Sequence, residues 1–331
     1  MSVLLQAEQV SKRFPVQRGW LRRTVAEVHA VEEVDLSVDP GECLALVGES
    51  GSGKSTLSRL LVRLTPPTSG RIWFRGRDLA QLAPAELAAL RPQFQMIFQD
   101  AAGSLSPRLR VRRLLEEAVR LRSRLRVGEE ASRLLDQVGL EPGLAERFPH
   151  QLSGGQRQRV AIARALAPGP ALVVADEPVA ALDAALRRQV MALLAGISGQ
   201  TGMAIVFVTH DLAGVSALAR RVAVMYCGRI VEQAPASQLF AHPLHPYTVS
   251  LLAAVPRPEP GRRRPLLAAG EPPSPLAPPP GCPFHPRCPA ARERCAVERP
   301  PLSELAPGHA VACHFPGEVG HRPLPSPEAA G

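Results

Sequence analysis

Nine consecutive residues carry the clearest chemistry in the chain. Gly48, Glu49, Ser50, Gly51, Ser52, Gly53, Lys54, Ser55 and Thr56 match the pattern G-x-x-x-x-G-K-[ST]. Glycines at these positions let successive backbone N–H groups curl around phosphate oxygens at the positive end of a following helix. Lys54 would set a compact charge on β- and γ-phosphates, and the Ser55 hydroxyl is a ligand suited to Mg²⁺. A second site lies at Leu172-Val173-Val174-Ala175-Asp176-Glu177-Pro178, where an apolar run ends in two carboxylates. Asp176 suits Mg²⁺ through its water shell, and Glu177 suits orienting and deprotonating an attacking water. Alone, such a run reads as a strand ending in a surface turn. Beside Lys54 and Ser55 it reads as the hydrolytic half of a nucleotide site.

These side chains need a frame. Short apolar stretches at 4–10, 34–38, 43–47, 71–74, 95–98, 171–175, 204–208 and 221–226 have the length of strands and alternate with helical stretches, as in an α/β domain. The phosphate loop falls between the strand at 43–47 and a helical run at 57–64, the context that its motif requires. The stretch 111–138, rich in Leu, Arg, Glu and Ala at helical spacing, reads as a helical insertion. Residues 1–255 carry this alternation. Residues 256–331 hold 20 of the 35 prolines, which excludes long helices and central strands and predicts an irregular appendage.

Composition bounds the function. The 331 residues are 45% hydrophobic, enough for a large core. The N-terminus lacks the basic and apolar regions of a signal peptide, and no apolar run reaches the ~20 residues of a membrane span, so a soluble cytosolic protein is expected. Net charge is +9, which invites a nucleic-acid reading. However, 37 of the 39 cations are arginine, which has the character of a genome-wide preference. Only Lys12 and Lys54 are lysines, and a lysine kept at 54 fits a compact, flexible ammonium reaching between phosphates.

A third motif, Leu152-Ser153-Gly154-Gly155-Gln156-Arg157-Gln158-Arg159, resembles the signature sequence of ATP-binding cassette (ABC) ATPases. A serine hydroxyl and two glycine amides at a helix start repeat the anion-binding logic of the first loop. The resemblance implies an ABC-type P-loop ATPase, an α/β cassette with a helical subdomain at about 101–165. It also implies a dimer in which Ser153, Gly154, Gly155 and Gln156 meet ATP held by the opposite subunit. Gln99 looks like the Q-loop glutamine that contacts Mg²⁺ and water, and Ala181-Leu182-Asp183 looks like the D-loop. His210, 33 residues after Glu177, looks like the switch histidine on the γ-phosphate, and Phe14 fits the aromatic that stacks on adenine. Ala180 and Ser106 depart from the family's frequent Ser and Asn without removing a catalytic group.

The match extends over roughly residues 3–316. His245-Pro246-Tyr247-Thr248, Gly270-Glu271-Pro272-Pro273-Ser274-Pro275 and Pro280-Gly281-Cys282 resemble the C-terminal extension of oligopeptide and dipeptide importer ATPases, and most resemble the second ATPase of the dipeptide pair. The resemblance implies partners: a paired ATPase subunit, two membrane permease subunits and an extracytoplasmic substrate-binding protein, at the cytoplasmic face of the inner membrane. Nickel, opine or glutathione import is the alternative cargo. A non-transport ABC ATPase acting on nucleic acid or ribosomes is the rival class. Cys282, Cys288, Cys295 and Cys313 lack the C-x₂-C pairing of common zinc modules. They are open to a [4Fe–4S] cluster, as some relatives are understood to carry, to Zn²⁺, or to four thiols in a packed tail.

Overall fold

The computed structural model describes residues 3–18, 23–122, 125–179, 182–216, 218–254 and 270–320. The chain opens with a long hairpin, β1 (Leu5–Arg18) and β2 (Arg23–Val38). β3 (Cys43–Val47), α1 (Lys54–Leu61), β4 (Ser69–Phe74), β5 (Arg77–Asp78), α2 (Pro84–Leu90) and β6 (Phe94–Ile97) follow. A helical stretch then runs through α3 (Ala101–Ser104), α4 (Val111–Val119), α5 (Val127–Gln137) and α6 (Gly154–Leu166). Next come β7 (Leu172–Asp176), α7 (Ala184–Thr201), β8 (Ala204–Thr209), α8 (Leu212–Val215), β9 (Arg221–Tyr226) and β10 (Arg229–Pro235). The chain finishes with α9 (Ala236–Ala241), α10 (Pro246–Ala253), α11 (Glu293–Val297), β11 (Ser303–Ala306) and β12 (His309–Val311).

Two sheets result. One is antiparallel, in the order β2-β1-β4-β5; the other runs β11-β12-β10-β9-β3-β8-β7-β6. In the larger sheet β9, β3, β8, β7 and β6 are parallel, and their runs such as Leu-Val-Val-Ala are buried on both faces. Alternation within each strand divides the interior. Leu44, Leu46, Val174 and Val206 face α1 and the antiparallel sheet. Ala45, Val47, Val173 and Ile205 face the core shared with α6, α7 and the helical stretch. On α4, Val111, Leu114, Leu115, Ala118 and Val119 form the buried stripe, while Arg113–Glu117 and Arg120–Glu116 pair four residues apart.

The register of the parallel strands decides where chemistry can occur. Val47 lies opposite Thr209, Asp176 opposite Val208, and Ile97 opposite Ala175. The residues that follow β3, β6, β7 and β8 therefore emerge at one edge, the carboxyl ends of the strands, where open α/β sheets bind ligands.

The appendage is more regular than its prolines predict. β12 pairs antiparallel with β10 (Glu232 opposite Val311) and β11 closes the edge. Both are short and free of proline, with Pro300, Pro301 and Pro307 lying outside them, and β11 is the edge strand while β12 is paired on both sides. The buried Glu232 carboxylate fastens this end: it accepts from Leu244 N–H (2.7 Å) and His245 N–H (3.0 Å) and faces His309 Nε2 at 2.7 Å. The expectations for 256–269 and 321–331, and for Ala180 and Ala181, fall outside the described residues.

Candidate active site

The phosphate loop leaves β3 and enters α1. Gly48, Gly51 and Gly53 have φ of 156°, 80° and 104°. A Cβ on Gly48 would lie 2.2 Å from Met225 O, and one on Gly53 would lie 2.2 Å from Ala30 O, so both positions require glycine. α1 starts at Gly53 with no side-chain cap. The buried Lys54 ammonium donates to Gly48 O (2.8 Å) and Glu49 O (2.7 Å), with Ser52 Oγ at 3.4 Å. Burial lowers its pKa, against the opposing pull of Glu177, Asp176 and Glu49. Ser52 is buried, Ser50 and Gly51 are exposed, and Thr56 is half-buried.

At the end of β7 the Ser55 hydroxyl donates to Asp176 Oδ1 at 3.0 Å. Burial raises the Asp176 carboxyl above its usual range; the Ser55 hydrogen bond opposes this and the Glu177 charge adds to it. Glu177 has φ 46°, rare for a residue with a side chain, and its N–H is fixed on Val208 O at 3.0 Å. Its carboxylate lies between two partners from neighbouring strand ends. Gln99 Nε2 donates to Oε2 at 3.0 Å, and His210 Nδ1 lies 3.2 Å from Oε1. The structure thus joins Lys54, Ser55, Asp176, Glu177, Gln99 and His210 at the edge set by the strand register. Hard oxygen donors at Ser55 and Asp176, with an amide at Gln99, fit Mg²⁺, which takes few protein ligands and completes its shell with phosphates and water.

The second glycine-rich helix start stands apart. Ser153 caps α6: its Oγ accepts from Gln156 N–H (3.2 Å), and Gln156 Oε1 accepts from Ser153 N–H (2.9 Å). Among the described residues neither side chain bonds the phosphate loop. A Cβ on Gly155 would lie 2.2 Å from Leu186 Cδ2, so this helix start packs on the start of α7. There Asp183 Oδ1 accepts from Leu186 N–H at 2.9 Å. Arg187, which the sequence reading missed, reaches from α7 to Leu182 O (3.4 Å) and to Asp211 Oδ2 (3.2 Å), beside His210. Phe14, 40% exposed, sits on β1 opposite Val28, two residues from the Ala30 that covers Gly53. Lys12 lies against the Phe14 ring (5.1 Å to its centre) and donates to Pro66 O at 2.8 Å, a role its sequence context did not suggest.

On spacing alone the cysteines are open to a cluster, to zinc or to packed thiols. Cys282, Cys288, Cys295 and Cys313 do converge, with Phe284, His285 and Phe315, around a cavity of about 10 Å³. That is about the room of one water. Among the described residues no three His, Cys, Asp or Glu side chains are placed to hold a metal ion. Burial pushes Cys282 and Cys313 up to about 11 and raises Cys288, which keeps these groups as neutral thiols. The described residues thus give the cluster and zinc readings no support.

A phosphate loop backed by strand-end carboxylates, a glutamine and a histidine, with a helical stretch ending in a second glycine-rich helix start, defines an ATP-binding cassette. The family model described as ABC transporter matches residues 31–180, and that described as oligopeptide/dipeptide transporter, C-terminal region, matches residues 231–295. The chain is 51% identical over 324 residues to the probable peptide ABC transporter ATP-binding protein y4tS of Sinorhizobium fredii, covering 96% of this chain and 92% of that one. It is 42% identical over 319 residues to the oligopeptide transport ATP-binding protein AppF of Bacillus subtilis (94% and 97% covered). Against the dipeptide transport ATP-binding protein DppF of Haemophilus influenzae the identity is 41% over 314 residues (94% and 96%). Among solved structures, the ATP-binding cassette MJ0796, a dimer bound to ADP and Pi, superposes with a TM-score of 0.63 at 29% identity, covering 70% of this chain and 98% of that one. The chain belongs to the ATP-binding subunits of the peptide ABC transporters, and its activity is ATP hydrolysis.

Proposed function

We propose that this subunit hydrolyses ATP to drive import of dipeptides or oligopeptides. The reading is carried by the Glu177 carboxylate, held between Gln99 and His210 next to the Ser55–Asp176 pair. ATP phosphates bind in the loop Gly48–Thr56, with Lys54 leaving its carbonyl partners for the β- and γ-phosphates, and adenine rests on Phe14. Ser55, Asp176 and Gln99 would hold Mg²⁺, which would supply neutralisation of phosphate charge. Glu177 orients the attacking water and takes its proton, with Gln99 and His210 fixing the carboxylate's direction. His210 then faces the γ-phosphate, and catalysis is positioning plus charge stabilisation.

The dimer of the cassette MJ0796 supports a paired arrangement. In it Ser153, Gly154, Gly155 and Gln156 close over ATP held by the second ATPase subunit, and Asp183 lies at the seam. Among the described residues no helix is long and apolar enough to cross a membrane. The coupled partners are therefore two permease subunits, supplied by an extracytoplasmic binding protein, with this subunit at the cytoplasmic face of the inner membrane. The cargo follows from relatives named for peptide transport over nearly the whole chain.

Glu177→Gln tests the site: ATP binding persists, turnover falls by about 10²–10⁴-fold, and closed dimers accumulate. Undiminished hydrolysis would refute Glu177 as the base. Co-purification with permease subunits, and ATPase stimulation by a peptide-loaded binding protein, test the cargo.

A further inference from the structure

The chain has only two tyrosines, and both hydroxyls point at one residue pair of the phosphate loop and the extension. Tyr247 Oη accepts the Glu49 N–H at 2.7 Å. The Glu49 carbonyl accepts from Lys54 at 2.7 Å. Its carboxylate takes a two-pronged hydrogen bond from Arg287, Nη1 to Oε2 at 2.9 Å and Nη2 to Oε1 at 3.1 Å, with Tyr226 Oη at 3.4 Å from Nη1. Every polar group of Glu49 is thus held, and two of the three holds come from α10 and the segment beyond it.

Arg287 is built for this contact. It ends a tight turn in which its N–H donates to Phe284 O at 3.0 Å. Phe284 is 1% exposed and wedges against Tyr226 and Tyr247, with ring centres 5.3 and 5.4 Å away. The guanidinium lies against both the Tyr226 and Phe284 rings, 5.9 and 5.8 Å from their centres, and its side chain is 8% exposed. Its Nε is buried without a partner, and among the described residues Glu49 is the anion paired with this desolvated cation. A planar fork matched to a carboxylate fixes direction as well as distance, which a lysine cannot do.

We infer that Arg287 is a positioning residue for ATP binding: through Glu49 it sets the phosphate-loop backbone in the shape that receives the nucleotide. The inference rests on the ATP-binding role of the loop and is independent of the transported cargo. Without Arg287, the Glu49 side chain loses its two-pronged hold and the loop backbone is left to Tyr247, so more of its ordering falls to ATP itself. The loss therefore falls on binding more than on the chemical step.

The test is a double-mutant cycle in the full-length chain, with Arg287→Gln and Glu49→Gln singly and together. ATP hydrolysis is read as KM and kcat, and affinity is read with a fluorescent ATP analogue. In R287Q, KM and analogue Kd rise about tenfold, while kcat changes far less. E49Q gives a rise of the same size, and the double variant rises no further than either single. Arg287→Lys, which keeps the cation and loses the fork, falls between wild type and R287Q, and it replaces R287Q in the cycle should that variant fail to fold. Arg294→Gln removes an exposed extension arginine paired with Glu298 and leaves KM in place. Unaltered KM and Kd in the Arg287 variants, or Glu49 and Arg287 effects that multiply in the double variant, overturn the inference. Absence of hydrolysis in the wild-type chain defeats the ATPase reading instead, and the analogue Kd values still decide the role of Arg287.

Discussion

Two glycine-rich helix starts sit in one chain and solve their termini differently. α1 begins at a left-handed Gly53 with no side-chain cap, and a buried lysine folds back onto loop carbonyls. α6 begins at Ser153, which caps its own helix through a reciprocal pair with Gln156. An uncapped N-terminus keeps all its first-turn amides for an anion, while the Ser153 cap takes up the Gln156 N–H and leaves the earlier amides for an anion presented from outside. The first is therefore a binding loop, whose order is supplied from outside by Tyr247 and Arg287. The second is a preformed surface, complete before anything docks on it.

That contrast breaks most readily at Lys54. Lys54→Ala should weaken binding of a fluorescent ATP analogue by roughly 10²–10³-fold, as when one preorganised charge-stabilising donor is removed. Retained affinity would mean that the amides alone carry the loop.

A pH titration tests the outside support. His245 Nδ1 accepts the Tyr247 N–H at 3.0 Å and so caps α10, which requires a neutral ring. Complete burial lowers the His245 pKa from 6.5 to about 4, although Glu232 pulls the other way. The unfolded chain takes up its proton near 6.5 and the native chain does not, so stability is full above that pH and declines as pH falls toward about 4. The loss is on the order of 3 kcal/mol across the window. Chemical denaturation midpoints between pH 7 and 4.5 measure it, and His245→Asn, which keeps an N-cap acceptor without a proton to gain, should flatten this part of the slope.

The smallest effect is expected at α6. Ser153→Ala should lower stability by about 1 kcal/mol through loss of the cap, read as a shift in urea midpoint. Turnover of the assembled transporter should fall more than nucleotide affinity of the single subunit. The opposite order would make the two helix starts equivalent.

The nucleotide site was largely legible because its evidence is local. Gly48–Thr56, Asp176–Glu177, Gln99 and His210 each sit at a strand end that the apolar runs had marked, and a parallel register brings such ends to one edge. Helix 111–138 divides into α4 and α5, and the run expected to reach 64 stops at Leu61, where the Arg63 and Leu64 amides turn back onto Leu60 O and Arg59 O. β10 went unmarked, although it is the strand on which the C-terminal edge is built. The grip of Arg287 on Glu49 spans 238 residues of sequence and leaves no periodicity to read. The cysteine spacing matched no common metal module and left cluster, zinc and packed thiols open, and among the described residues no group is placed to hold a metal. Proline content averaged over 256–331 concealed β11 and β12, of which β12 is paired on both sides, because the prolines flank these strands and do not fall within them.

During synthesis Glu49 leaves the ribosome 238 residues before Arg287, and Glu232 leaves it 77 residues before His309. The nascent cassette can collapse around β3, β7 and β8 while its loop is still held from one side only, and the buried Glu232 waits for its last partner. Final locking of the nucleotide loop is thus deferred until the extension has emerged. A chain released before residue 287 carries its nucleotide motifs intact with Glu49 lacking its Arg287 partner and with the β10 edge unpaired.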